Sequence, residues 1–141
     1  MTFLGFSGGL PFLLVFSTLT AWLTEGNVSR STIGFFAWIG ITYSTKVLWA
    51  PVVDSIPIPF LTKTLGQRRS WMLIGQMGIA LGLVLMSLIG PSDLLILSCC
   101  AFVVAFSSAT QDVAIDAFRI ESAEPEYQGA MSAAYVFGYR L

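Results

Sequence analysis

Five apolar runs dominate this chain, at about residues 3–23, 32–51, 71–89, 94–118 and 128–141. A helix rises about 1.5 Å per residue and the hydrocarbon core of a bilayer is about 30 Å thick, so about 20 apolar residues cross it. Inside hydrocarbon the backbone must satisfy its own hydrogen bonds, which leaves helices and closed barrels as the spanning structures. Runs of this length between short polar connectors predict an all-α, multi-pass transmembrane helix bundle. Composition agrees. Hydrophobic residues make up 55% of the chain and charged residues 11%, against about 25% charged in ordinary soluble domains. The fifth run stops mid-pattern at Leu141, so residues 1–141 are expected to hold four spans and the start of a fifth, the front part of a longer protein.

Several function classes fall away at once. Histidine is absent, which removes Ser-His-Asp and Cys-His catalysis and most zinc sites; no catalytic residue, metal or cofactor is expected. A net charge of −1 gives no nucleic-acid footprint. Cys99 and Cys100 are adjacent in an apolar run and read as small buried hydrophobes. Gly5-Phe6-Ser7-Gly8-Gly9 matches the nucleophile-elbow pattern, but that motif needs a strand, a turn and a histidine. Asn27-Val28-Ser29 is a formal glycosylation sequon, relevant only in a eukaryotic secretory membrane. Met1 leads into the first apolar run with no basic region, so that run reads as a retained span rather than a cleaved signal.

The connectors set the orientation. Val52 to Arg69 carries Lys63, Arg68 and Arg69, against one basic residue in the first connector and none in the third. The positive-inside rule makes this loop cytoplasmic, so the first run goes outward and the second inward. Ser29 or Ser31 is a candidate cap for the second helix. Gly90-Pro91-Ser92 reads as an external turn that ends one helix and caps the next.

Within the spans, unusual residues stand out. Gly5, Gly8, Gly9 and Pro11 suit either a close-packing face or a local helix break of the kind that lines transporter sites. Gly78 and Gly82 offer a second packing face. Asp112, Asp116 and Arg119 are spaced four and three apart, which places them on one helical stripe. Ionisable groups in a span face a bundle interior or a wet cavity, although a charge cluster at a helix end is also a common structural ion pair. Asp112 lies ~28 Å from the start of its helix, Lys46 ~22 Å and Arg140 ~18 Å. Lys46 either snorkels to the interface or pairs with Asp112 or Asp116. Arg140 falls near the midplane, where an arginine is costly and marks function. Glu121, Glu124 and Glu126 are read as an acidic internal loop.

Four stretches carry a resemblance: Leu4 to Pro11 (LGFSGGLP), Ile33 to Asp54, Leu65 to Gln76 (LGQRRSWMLIGQ) and Ala105 to Glu121 (AFSSATQDVAIDAFRIE), extended by Glu124 to Leu141. Together they resemble the AmpG-type muropeptide permeases of the major facilitator superfamily, relatives of the acetyl-CoA transporter group. The superfamily's second-to-third-helix loop has an acid soon followed by Gly-x-basic-basic. Here Asp54 holds the acid's place and Gly66-Gln67-Arg68-Arg69 the rest, but eleven residues, Ser55 to Leu65, intervene. The insertion puts in question whether Asp54 makes the superfamily's gating contacts.

The resemblance implies twelve helices in two six-helix halves, of which this chain would be part of the N-terminal half. It implies a monomeric, proton-driven importer of anhydro-muropeptides across the bacterial inner membrane, tied to peptidoglycan recycling and β-lactamase induction. On that footing Asp112 is the candidate proton carrier with Lys46 as counter-charge, and Asp116 assists or anchors the inner end. Arg140 would attract a peptide carboxylate, and Gln111 would hydrogen-bond sugar or peptide. The partners expected are membrane lipid and the muropeptide, with the proton gradient as driving force. Three alternatives stay open: an acetyl-CoA transporter, an intramembrane aspartyl enzyme using Asp112 and Asp116, and a non-transporting membrane subunit.

Overall fold

The computed structural model describes residues 1–90 and 93–140 and is helical, with no strand among them. The expected Pro91-Ser92 turn and Leu141 lie outside the described residues. In chain order the helices are α1 (Thr2–Glu25), α2 (Arg30–Phe36), α3 (Ile41–Thr45), α4 (Ala50–Ser55) and α5 (Leu61–Leu65). They continue with α6 (Gln67–Ile89), α7 (Leu94–Ser122) and α8 (Gln128–Arg140). Among the described residues, α1, α6 and α7 are long and apolar enough to cross a membrane.

Helix α1 passes through Gly8 to Pro11 unbroken, and its irregularity comes a few residues later as a π-helical stretch at Leu14–Thr18. Pro11 has no N–H to offer the carbonyl of Ser7, and the wider turn follows that lost bond. The run at 32–51, expected as one helix, is instead α2, α3 and α4 joined by 3-10 turns at Ala37–Gly40 and Lys46–Leu48. Its residues explain this. Gly34 and Gly40 are weak helix formers, the Thr45 hydroxyl back-bonds to the Ile41 carbonyl at 3.0 Å, and Pro51 cannot donate. Ser29 caps α2, accepting the Thr32 N–H at 3.2 Å. Helices α6 and α7 exceed their predicted bounds, the first beginning at Gln67 and the second running on to Ser122.

The long helices pack through missing side chains. A Cβ on Gly5 would meet the Tyr135 carbonyl, one on Gly9 the Tyr139 carbonyl, and one on Gly138 the Thr2 carbonyl. Helix α1 therefore crosses α8 with backbones nearly touching, the geometry that small residues permit inside a bilayer. Gly75, Gly78 and Gly82 of α6 similarly accept Gln111, Ser107 and Val104 of α7. Two apolar clusters result. One gathers Val15, Leu19, Leu23, Ile79, Met86 and Leu97 toward the end of α1 that holds Glu25. The other gathers Val53, Met72, Ala114 and Ile115 toward the opposite end. Along α7 the polar run Ser108 to Asp112 lies between them and is buried.

Overpacking such a contact costs about 1–3 kcal/mol. Gly5→Leu is expected to lower the thermal unfolding midpoint of the full-length protein in detergent, whereas Gly34→Ala, with nothing within 4 Å of the added methyl, leaves it unchanged or raises it. Equal midpoints for the two variants would contradict the close crossing.

Candidate functional site

Helix α7 carries the polar groups because its spacing of four and three stacks Asp112, Asp116 and Arg119 on one face. That face meets α8 and the 3-10 turn after α3. Asp112 is 5% exposed and accepts a hydrogen bond from the Tyr135 hydroxyl at 3.3 Å. Room for this pair comes from Gly8, where a Cβ would stand 2.8 Å from Asp112 Oδ1 and 3.2 Å from the Tyr135 hydroxyl. One turn inward, Asp116 lies between two cations, Lys46 Nζ at 3.9 Å and Arg119 Nη2 at 3.5 Å. Arg119 also donates to Ser132 Oγ of α8.

Lys46, Asp112, Asp116, Tyr135, Val136, Tyr139 and Arg140 line a cleft of about 320 Å³. Lys46 therefore reaches the bundle and pairs with Asp116 rather than Asp112. Two cations and two carboxylates share the cleft, so its formal charge balances. An aromatic strip continues from it: Tyr139 lies 6.0 Å from Tyr135 and 6.4 Å from Phe12, and Phe12 lies 5.5 Å from Tyr43 between ring centroids.

Gln111 sits apart from that cleft. Its Nε2 donates to Ser7 Oγ of α1 at 3.0 Å, and Gln76 of α6 reaches the same oxygen at 3.4 Å. Gln111 Oε1, the Tyr43 hydroxyl and Ser108 Oγ are buried with no hydrogen-bond partner. Unpaired polar groups at such depth are costly.

Where α4, the start of α6 and the end of α7 meet, a second charged cluster forms. Arg68 Nη1 donates to Asp54 Oδ1 at 2.5 Å, while its Nε and Nη2 donate to Glu121 Oε1 at 3.0 and 2.7 Å. Gln67 Nε2 donates to the Asp54 carbonyl at 2.6 Å, and the Arg69 guanidinium lies 5.8 Å from the Phe118 ring centre. Gly66 has φ 83°, a value that L side chains rarely adopt, and it turns the chain into α6 so that Arg68 faces α7. The eleven-residue insertion bulges away from this contact without displacing it. Glu121 belongs to the last turn of α7 rather than to the acidic loop assigned from sequence; its signal was an acid at one helix end facing Gly-Gln-Arg-Arg at the next. Tyr135 and Tyr43 also went unflagged, since neutral polar residues in a span carry no charge signal, and Ser7 was considered only as a nucleophile and set aside.

A bundle of apolar helices with Asp112, Asp116, Lys46 and Arg119 gathered between them is the make-up of a multi-pass membrane protein. Comparison with known proteins gives the family. The model described as acetyl-coenzyme A transporter 1 matches residues 1–95, and the chain belongs to that family, as an AmpG-type permease. It is 40% identical over 139 residues to putative transporter AmpG 4 of Rickettsia conorii (strain ATCC VR-613 / Malish 7), covering 98% of this chain and 33% of that protein. It is likewise 40% identical over 139 residues to anhydromuropeptide permease of Escherichia coli (strain K12), covering 98% of this chain and 28% of that protein. Putative transporter AmpG 1 of Rickettsia typhi (strain ATCC VR-144 / Wilmington) is 36% identical over 138 residues. These relatives are named as transporters and permeases, not enzymes, and the chain spans about a third of their length. No solved structure matches it significantly.

Asp54 and Glu121 are about half exposed, so solvent screening limits each pair to about 0.2–1 kcal/mol. A double-mutant cycle of Arg68→Ala and Glu121→Ala, read by thermal unfolding of the full-length protein, is expected to return a coupling in that range. Strict additivity would mean that the pair does not form.

Proposed function

We propose that the full-length protein imports anhydro-muropeptides across the bacterial inner membrane, driven by the proton gradient, for peptidoglycan recycling. The observation that carries this reading is a charge-balanced cleft in an apolar bundle, in a chain 40% identical to a relative named anhydromuropeptide permease. A peptide end brings both carboxylate and ammonium groups, and the cleft offers partners for both. Arg140 would take a carboxylate, with the bidentate geometry that suits it. Asp116 would exchange its partly exposed pair with Lys46 for the ammonium of the peptide. The sugars would lie along the Tyr139, Phe12 and Tyr43 strip.

Asp112 is the proposed proton carrier. It is buried, it pairs with a neutral hydroxyl rather than directly with a cation, and it adjoins the cleft. A carboxyl in such a place can hold a proton in one state of the transporter and release it when a wetter face opens. Lys46, held by Asp116, supplies the nearby positive charge that favours release. The Asp54–Arg68–Glu121 cluster would clasp the inner ends of the helices in one of the two states.

The family model's description favours a second reading, transport of acetyl-coenzyme A. Two cations matched by two carboxylates are a poor complement for a polyphosphate, so this reading ranks below the first.

Asp112→Asn is expected to abolish muropeptide uptake while membrane insertion stays normal, measured with labelled substrate and surface-accessible tags. Normal uptake by that variant removes the carrier role. Uptake of labelled acetyl-coenzyme A by the unmodified protein, with none of labelled muropeptide, would move the substrate to the second reading.

A further inference from the structure

We propose that the inserted loop between α4 and α6 is an anchor for the inner membrane surface, taking anionic lipid headgroups and the acyl boundary beneath them. The loop carries large apolar side chains at exposed positions, with Ile56 52% exposed, Phe60 86% and Leu65 43%. Display of large apolar side chains to water is unfavourable, and three within one ten-residue loop mark a stretch suited to an apolar surrounding.

The loop is built rather than loose. Trp71 Nε1 donates to the Ile56 carbonyl at 3.1 Å, and Thr62 Oγ1 accepts the Ile58 N–H at 2.8 Å. Pro57 and Pro59 stiffen the approach to Phe60. Phe60 itself has φ 69° and ψ −53°, and the Leu61 N–H donates to the Pro59 carbonyl at 2.9 Å. That is a γ-turn of the rare, strained hand, adopted by a bulky residue for which positive φ is an outlier. The turn leaves the Phe60 ring 86% exposed, at a backbone cost that a ring with no contact to make would not repay.

Charge names that phase. Residues 55–69 contain Lys63, Arg68 and Arg69 and no acid. Arg68 is occupied by Asp54 and Glu121, whereas Lys63 and Arg69 are exposed and form no ion pair among the described residues. The loop leads from α4 to the start of the membrane-length helix α6, the end that the positive-inside rule makes cytoplasmic, and Trp71 ties it there, the level at which tryptophan collects in membrane proteins. Exposed apolar side chains beside Lys63 of the loop, with Arg69 exposed at the start of α6 and against Phe118, match an anionic leaflet, with the phenyl ring of Phe60 entering the acyl boundary and the cations meeting phosphate.

The test uses the full-length protein in vesicles of phosphatidylethanolamine and phosphatidylglycerol, with Phe60→Cys carrying an environment-sensitive fluorophore. Leu65→Cys serves as a second position and Glu124→Cys as a control on the other inner loop. The labels at 60 and 65 are expected to emit to the blue and to lose most of their emission to bromine-bearing lipid, while the label at 124 does neither. Combining Lys63→Gln with Arg69→Gln should reduce that quenching to its level in neutral phosphatidylcholine vesicles. Labels at 60 and 65 as water-exposed as the one at 124 would overturn the proposal. So would labels that are shielded yet unquenched by lipid, which would mean that protein covers the loop.

Discussion

A carboxylate in an apolar bundle must find a hydrogen bond, and the arrangement around Asp112 follows from that need. Its partner is the Tyr135 hydroxyl on α8, which reaches it only because α1 carries no side chain at Gly8. The same helix gives up side chains at Gly5 and Gly9 to bring α8 against it. Close packing and polar satisfaction are thus one device. Replacing these glycines with ordinary span residues would separate the helices and strand the acid together.

The cleft next to this pair shows how a small set of charges can be held ready without collapsing on itself. Asp116 is shared between Lys46 and Arg119, and Arg119 is held further by Ser132. Each contact is partly exposed, and screened pairs of that kind are weak, so they can be exchanged for a ligand's charges. Asp112 differs in being buried one turn above. Burial separates Asp112, the proposed proton carrier, from Asp116, proposed for the ligand, although the two lie on one stripe of α7.

Much of this was legible in the sequence. Period and length yield the long helices, and the spacing of Asp112, Asp116 and Arg119 yields their common face. The choice of Asp116 over Asp112 by Lys46 was not, because it turns on a 3-10 turn at Lys46–Leu48 that alters rise and direction where an ideal helix was assumed. Glu121 was misassigned because a helix end shows no sharp boundary in a sequence that remains partly apolar through Ile120. Arg140 could be given a depth but no direction, since its direction depends on how α8 crosses α1. The insertion looked like an obstacle to the Asp54 contact; it is a bulge beside it, because Gly66 returns the chain to the helix foot.

The central claim is that a buried acid in a glycine-packed bundle couples a proton to a charged saccharide-peptide. Uptake of labelled anhydro-muropeptide into vesicles holding the full-length protein, with and without a proton ionophore, tests it most directly. Uptake that collapses when the ionophore is added is the predicted result. Uptake that continues unchanged after the gradient is dissipated would contradict the account.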